Sequence, residues 1–104
     1  MTNGRTIAIG DVHGCSQALA VLIEAFAPKA EDLVIFLGDL IDRGPDSSDV
    51  IEQILRLRNQ CRVVTLMGNH EAMFLNAAQA FPGSPEWDFW VGNGGHETLA
   101  SYHG

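Results

Sequence analysis

The stretch GDLIDRGPD, residues 38–46, places three aspartates and an arginine directly after the apolar run at residues 33–37. Two other stretches are built in the same way. GDVHG follows the apolar residues 7–9, and GNHE follows the apolar residues 63–67. An apolar, strand-like segment therefore runs three times into a short polar loop whose side chains can bind ligands.

Strand-like runs alternate with segments of helical periodicity along the chain. Strands are predicted at 6–9, 33–37 and 63–67, and helices are predicted to be capped at Ser16 and at Ser47 or Ser48, and to begin near Glu71. Pro28 closes the first helix, and FPGSP at 81–85 ends the third. Residues 86–104 indicate an aromatic turn, a glycine break and a short closing helix.

The order β-α-β-α-β-α predicts an α/β fold with a parallel sheet and right-handed crossovers. Strands that are apolar along their whole length favour cover on both faces, although a single layer of this length leaves one sheet face short of cover. In such sheets, ligands bind outside the carboxyl ends of the strands. The three polar loops are therefore expected to meet there.

Length and composition favour one small domain with an acidic surface. The chain has 104 residues, 46% hydrophobic content and a formal net charge of -7. This charge argues against nucleic-acid binding through phosphate neutralisation. The apolar runs are too short to span a membrane, and the N-terminus lacks a secretory pattern, so a cytoplasmic protein is expected. Cys15 and Cys61 are expected to be reduced thiols without a functional role.

The three loops together offer carboxylate, imidazole, amide and guanidinium groups. The candidate residues are Asp11, His13, Asp39, Asp42, Arg43, Asn69, His70 and Glu71. Mixed oxygen and nitrogen donors suit divalent Mn, Fe, Ni or Zn, and the lack of thiolate donors argues against a structural zinc site. Asp11 and His13 lie two residues apart and can grip one ion. Asp39 is the natural bridge to a second ion contacted by Asn69.

The ordered trio GDVHG, GDLIDRG and GNHE resembles the signature of the calcineurin-like metallophosphoesterase superfamily, in its serine/threonine phosphatase branch. Met73 and the W-x-x-N-G-G stretch at 90–95 are similar to small bacterial and lambda-type phage protein phosphatases. Diadenosine tetraphosphatases share much of the trio. The resemblance implies that residues 1–104 form the N-terminal half of a four-layer αββα sandwich. The family's later H-A-G-like and G-H-T-like histidine stretches do not occur in this sequence.

The resemblance also implies two divalent metal ions as cofactors, Mn foremost, with Fe, Zn or Ni as alternatives. Asp11, His13 and Asp39 would form the first metal site. Asp39 and Asn69 would form half of the second site. The implied reaction is the metal-assisted hydrolysis of a phosphate monoester.

Three residues carry the remaining roles that the resemblance implies. Arg43 would clamp the phosphate, and His70, oriented by Asp42, would protonate the leaving group. Arg43, Asn69 and His70 would thus contact the substrate. The alternative for Arg43 is a surface ion pair with Asp42 or Asp46, and Glu71 could serve only the dipole of its helix.

Phosphoserine, phosphothreonine or phosphotyrosine proteins are the expected substrates, and dinucleoside polyphosphates are the alternative. A hypothesis of another class is a catalytically incomplete metal-binding or assembly fragment, whose apolar surface a second copy covers. His96 and His103 are expected to be surface histidines rather than metal ligands. Trp87, Phe89 and Trp90 would either line a substrate groove or pack on the body of the fold.

Overall fold

A three-stranded parallel sheet forms the centre of the computed structural model, which describes residues 4–103. The strands are β1 (Thr6–Ile9), β2 (Leu33–Phe36) and β3 (Arg62–Thr65), in the order β1-β2-β3. Both neighbouring pairs run parallel. The predicted α/β fold is confirmed. The ends of the predicted domain, residues 1–3 and 104, lie outside the described residues.

Helices connect and follow the strands. They are α1 (Ser16–Phe26), α2 (Ser47–Leu57), α3 (Asn69–Gln79), α4 (Pro85–Trp90) and α5 (His96–His103). A kinked turn over Val91–Gly95 separates α4 from α5, because Asn93 and Gly94 leave the helical conformation. Within residues 4–103, none of the helices has the length and apolar character needed to cross a membrane.

The element boundaries differ from the predictions by one or two residues, with physical reasons. Ser16 begins α1, and the preceding Cys15 is its N-cap. The N-cap of α2 is Asp46 rather than a serine, because its carboxylate accepts the backbone N–H of Asp49 at 3.1 Å. The segment predicted as an aromatic turn is the helix α4, whose N-cap Ser84 accepts the backbone N–H of Trp87 through its hydroxyl at 3.2 Å.

Two strands are shorter than predicted, and α3 begins earlier. Leu37, Leu66 and Met67 lie beyond the strand ends, at 51%, 48% and 64% exposure. The helix α3 begins at Asn69 because the Glu71 carboxylate accepts the backbone N–H of Gly68 at 2.9 Å and so caps this end. Apolar character alone could not show where strand pairing stops.

The hydrophobic core lies between one face of the sheet and the helices α1 and α2. Its buried members are Ile9, Val12, Leu19, Val34, Phe36, Leu40, Ile41, Val50, Ile54, Leu57 and Cys61. On the opposite face of the sheet, Ala8 and Val64 are exposed and Ile35 is only half-buried. Within the described residues, cover on both faces is therefore not achieved, in keeping with the expectation that one face is left short of cover.

The two cysteines are free thiols, as predicted. Cys15 is exposed beside the first polar loop, whereas Cys61 is part of the core. Burial raises the pKa of the Cys61 thiol, because the apolar surroundings disfavour the thiolate. Cys61 therefore behaves as a small core side chain.

Candidate metal centre

The three polar loops meet at the carboxyl ends of the strands, as predicted. The backbone N–H groups of Val12 and His13 both donate to the carbonyl of Asp39, at 3.0 and 2.9 Å. Gly14 N–H donates to the carbonyl of Leu40 at 2.9 Å. These bonds join the first loop to the second. Gly44 lies against the carbonyl of His13 so closely that a side chain would collide with it.

Left-handed backbone conformations are concentrated in these loops. His13, Asp39, Asp42 and Arg43 have φ angles of 45°, 53°, 76° and 70°. Such conformations are uncommon for residues other than glycine, and they persist only where surrounding contacts enforce them. Among residues 4–103 other than glycine, the one further case is Ala27, at the C-terminus of α1. The strain therefore lies mainly at predicted site residues.

Asp11, His13 and Asp39 converge on one point. Each contributes a ligand atom, and these atoms lie within 4.8 Å of one another. The His13 Nδ1 lies 3.0 Å from the carbonyl oxygen of Ile41, which can only accept a hydrogen bond. Nδ1 must therefore carry a proton, which makes Nε2, 3.7 Å from the Asp11 carboxylate, the ring nitrogen that can bind a metal ion. Two carboxylates and an imidazole in this arrangement fit a divalent cation.

Asn69 occupies the first turn of α3, next to this group, and is exposed. Its neighbour His70 donates its backbone N–H to the Asp39 carboxylate at 2.9 Å. The third loop is thus tied to the carboxylate that was predicted to bridge two ions. The role of Asn69 as a metal ligand remains a prediction.

Asp42 and His70 form a buried pair. The His70 Nδ1 lies 2.8 Å from the Asp42 Oδ2, and Asp42 is fully buried. The same carboxylate accepts the Trp90 Nε1–H at 2.8 Å and the Thr98 hydroxyl at 2.7 Å. The geometry thus places the His70 Nδ1 as a third donor to a carboxylate that already accepts two hydrogen bonds. The predicted orienting role of Asp42 thus has a geometric basis.

The His70 ring also approaches the cluster formed by Asp11, His13 and Asp39. The rings of His13 and His70 meet edge to face, with their centroids 4.7 Å apart. A group that could move a proton therefore lies next to a group that could hold a metal ion.

Arg43 is exposed at the same edge of the sheet. Its backbone N–H donates to the carbonyl of Gly94 at 3.0 Å, which anchors its main chain. Across the described part of the chain, its guanidinium forms no ion pair or hydrogen bond, and the alternative of a pair with Asp42 or Asp46 is not realised. The charge is available to an anion.

Glu71 acts on the second loop rather than on its helix alone. Its carboxylate accepts the backbone N–H groups of Asp39 at 2.6 Å, Leu40 at 2.8 Å and Gly68 at 2.9 Å. It thereby fixes the strained turn that carries Asp39. The sequence left its role open between the helix dipole and the site, and the structure shows contacts that connect the second and third loops.

Two site residues were missed or left undecided by the sequence. Trp90 was expected either to line a groove or to pack on the fold, but it is 1% exposed and bound to Asp42. Thr98 was not singled out, because nothing in its neighbourhood marks it, although it follows the W-x-x-N-G-G stretch by three residues. His96 and His103 are exposed, and neither joins the Asp11 cluster within the described residues.

Comparisons with known proteins agree with these observations. Residues 4–104 match the model of the calcineurin-like phosphoesterase family. Serine/threonine-protein phosphatase 2 of Escherichia coli (strain K12) is 44% identical over 89 residues, which cover 84% of this chain and 37% of that protein. A symmetrical bis(5'-nucleosyl)-tetraphosphatase of Baumannia cicadellinicola is 43% identical over 72 residues, which cover 67% of this chain and 24% of that protein.

A solved structure shows the same fold. The crystal structure of a proposed diadenosine tetraphosphatase superposes with a TM-score of 0.60 at 32% sequence identity. The superposition covers 78% of this chain and 39% of that chain. The chain thus spans well under half of the length of the relatives that it matches.

Proposed function

The chain belongs to the calcineurin-like phosphoesterase family, and from this premise we propose that it carries part of a two-metal phosphoprotein phosphatase. We infer in the same way that residues 1–104 are a partial phosphoesterase domain, since the 89 residues that match the E. coli phosphatase relative cover 37% of that protein. The observation that carries the proposal is the cluster of Asp11, His13 and Asp39 beside the buried Asp42–His70 pair.

In this proposal, Asp11, His13 and Asp39 hold one divalent ion, and Asp39 and Asn69 contribute to holding a second. Bound divalent ions supply Lewis-acid activation of water and neutralise charge on the phosphoryl oxygens. The hydrogen bond from His13 Nδ1–H to the Ile41 carbonyl keeps Nε2 free for this purpose. The mixed donor set suits Mn, Fe, Zn or Ni, and we propose Mn.

The other residues bind the phosphate and move a proton. Arg43 offers two parallel N–H donors to the non-reacting phosphoryl oxygens. His70 donates the proton on Nε2 to the oxygen of the leaving group when its ring is an imidazolium. Asp42 holds the ring at Nδ1 so that Nε2 points away from the buried carboxylate.

The substrate class follows from the relatives only as a proposal. We favour phosphoserine and phosphothreonine proteins, with phosphotyrosine also included, since the 44% identical relative is named a serine/threonine-protein phosphatase. Dinucleoside polyphosphates are the second candidate, because a 43% identical relative is named a tetraphosphatase and the solved neighbour is proposed to be one. Both reactions would use the same cluster of loop residues.

The test compares metal content and hydrolysis in the wild type and three variants. Asp39→Asn replaces an anionic bridge by an amide and is expected to lose binding of the second Mn ion in calorimetry, while Asp11→Asn should weaken the first site alone. Asp88→Asn, an exposed aspartate on α4, is the matched control and should bind Mn like the wild type. Parallel assays with a phosphopeptide and with diadenosine tetraphosphate distinguish the two substrate classes. Undiminished metal binding by Asp39→Asn would contradict the assignment.

A further inference from the structure

The segment from Trp90 to Thr98 reaches back over the second polar loop, and we call it the clamp. Trp90 Nε1–H and the Thr98 hydroxyl bind different oxygens of the Asp42 carboxylate, at 2.8 and 2.7 Å. The Thr98 hydroxyl oxygen also accepts the backbone N–H of Asp42 at 2.8 Å. The Gly94 carbonyl accepts the backbone N–H of Arg43 at 3.0 Å. The clamp therefore holds two consecutive residues that both have positive φ angles.

We propose that Trp90 and Thr98 are positioning residues, which fix the Asp42 carboxylate so that it orients the ring of His70. Thr98 occupies Oδ1, and Trp90 shares Oδ2 with His70. Rotation of the Asp42 carboxylate about its Cβ–Cγ bond would break its hydrogen bonds with Thr98, Trp90 and His70 at the same time. The inference rests on the proposed function, because it assigns these residues to the proton-transfer group of that reaction.

The glycines of the W-x-x-N-G-G stretch allow this arrangement. Gly94 has a φ angle of 112°, which turns the chain sharply between α4 and α5. The backbone of Gly95 packs directly against the indole of Trp90, since a Cβ atom at this position would approach the ring to 2.5 Å. The chain can therefore fold back over Trp90 and deliver Thr98 to Asp42. The glycines of the W-x-x-N-G-G stretch are thus explained by the close packing and the turn that this segment requires.

A purely structural role would bury the same side chains, so the experiment must separate packing from positioning. Ser101 provides the matched control, since it lies on α5 one turn beyond Thr98 and also bonds another element. Its hydroxyl accepts the backbone N–H of Ser48 at 3.2 Å, at the start of α2, and donates to the main-chain carbonyl of Thr98 at 2.8 Å, but it does not bind Asp42. Thr98→Val removes the hydroxyl with little change in shape, and Thr98→Ser restores it.

The first readout is nuclear magnetic resonance of the metal-free chain. The sequence has two tryptophans, so Trp87 is an internal reference for Trp90. In Thr98→Val we expect changed ring resonances of His70 and a shifted, faster-exchanging indole N–H of Trp90, with the Trp87 indole unchanged. Thr98→Ser should restore the wild-type resonances of His70 and Trp90, and Ser101→Ala should show the same resonances as the wild type. If Thr98→Val does not fold, Trp90→Phe, which removes the indole donor, replaces it in the same comparison.

The second readout is hydrolysis with manganese. Thr98→Val should lower kcat for phenyl phosphate roughly tenfold or more, and lower kcat for 4-nitrophenyl phosphate less, with KM unchanged, because general-acid catalysis contributes most when the leaving group is poor. Folded variants whose His70 resonances match the wild type would overturn the proposal, whatever the activity. A chain that neither binds manganese nor shows manganese-dependent hydrolysis, but has the expected resonance changes, would instead overturn the proposed function and leave the clamp standing as a positioning device for the pair.

Discussion

At the level of single residues, Asp42 explains how a fully buried charge is accommodated. An ionised carboxylate away from water is costly unless hydrogen bonds compensate for its lost hydration. Three side-chain donors, from His70, Trp90 and Thr98, surround it. The backbone of Asp42 is also held by a residue nearby in the sequence, since the Ser47 hydroxyl accepts the Asp42 N–H at 3.1 Å. The loss of any donor would therefore disturb the orientation of His70.

The roles of His70 and Arg43 can be separated by leaving group. In the complete enzyme, His70→Asn should lower turnover by roughly 10²–10⁴ for a substrate with a poor leaving group, and much less for 4-nitrophenyl phosphate, since only the poor leaving group needs a proton in the transition state. Arg43→Ala should lower turnover of both substrates, because each presents the same phosphoryl oxygens. Manganese-dependent steady-state kinetics with the two substrates measures the difference. Equal losses for His70→Asn on both would exclude it as the general acid.

At the level of elements, the sequence predicts the loops better than the parts that hold them. Strands, helices and the three polar loops follow from local apolar runs and periodicity, so Asp11, His13 and Asp39 could be placed together in advance. Trp90 and Thr98 could not, because their partner Asp42 lies 48 and 56 residues earlier in the chain. The predicted helix caps were wrong for a similar reason at shorter range. An N-cap is decided by which oxygen the folded chain brings to the free backbone N–H groups at the start of the helix.

Two glycines in the turn of the clamp, Gly92 and Gly94, allow a test of how this turn supports Arg43. Gly94→Ala should weaken the binding of inorganic phosphate roughly tenfold, because a Cβ atom would lie 2.6 Å from the Arg43 Cγ and the φ angle is 112°. The positive φ angle itself costs about 1–2 kcal/mol of stability. Gly92→Ala is the control, since a Cβ atom there would meet nothing within 4 Å. Inhibition by phosphate measures the affinity, and equal effects of both variants would contradict an effect transmitted through Arg43.

A second ion pair links three elements at the opposite end of the sheet. Asp32, before β2, is almost fully buried and accepts Arg5 Nη2 at 2.7 Å, Arg5 N at 2.9 Å and Lys29 N at 2.9 Å. Arg5 Nη2 also donates to the Phe26 carbonyl at the end of α1, at 2.8 Å. The hydrogen bonds from Arg5, first through its side chain and then through its backbone, hold the pKa of the Asp32 carboxyl well below its usual range.

This lowered pKa gives stability a predictable pH dependence. A carboxyl with a lower pKa in the folded state than in the unfolded state stabilises the fold above its unfolded pKa of about 3.9, and this contribution is lost as the pH falls below that value. Asp32→Asn should therefore be less stable than the wild type at pH 7, and the difference should shrink between about pH 4 and pH 2. Urea unfolding across this range measures it, with the exposed neighbour Glu31→Gln as control. A difference independent of pH would contradict the role of the charge.

At the level of the whole molecule, the described residues cover one face of the sheet and leave the other accessible. The strand β3 is at the edge of the sheet, where unpaired backbone groups can join another strand. Val64, on the uncovered face, is 40% exposed, and Met67 beyond it is 64% exposed. A separate apolar groove of about 600 Å³ is bordered by α3 and α5, and its lining includes Thr65 and the α2 residue Ile51, so it lies on the side of the sheet that α2 covers. The exposed apolar side chains of the uncovered face favour association.

We therefore expect the chain to self-associate through the uncovered face, in a manner that depends on its concentration. Val64→Lys should shift the equilibrium toward the monomer, because a charged side chain at an edge strand disfavours both strand pairing and apolar burial. Val21→Lys is a matched control, since Val21 is 68% exposed but lies on α1, away from this face. Sedimentation velocity over a range of concentrations measures the equilibrium for all three proteins. A wild-type chain that stays monomeric throughout, or two lysine variants with equal effects, would show that the uncovered face is not the surface of association.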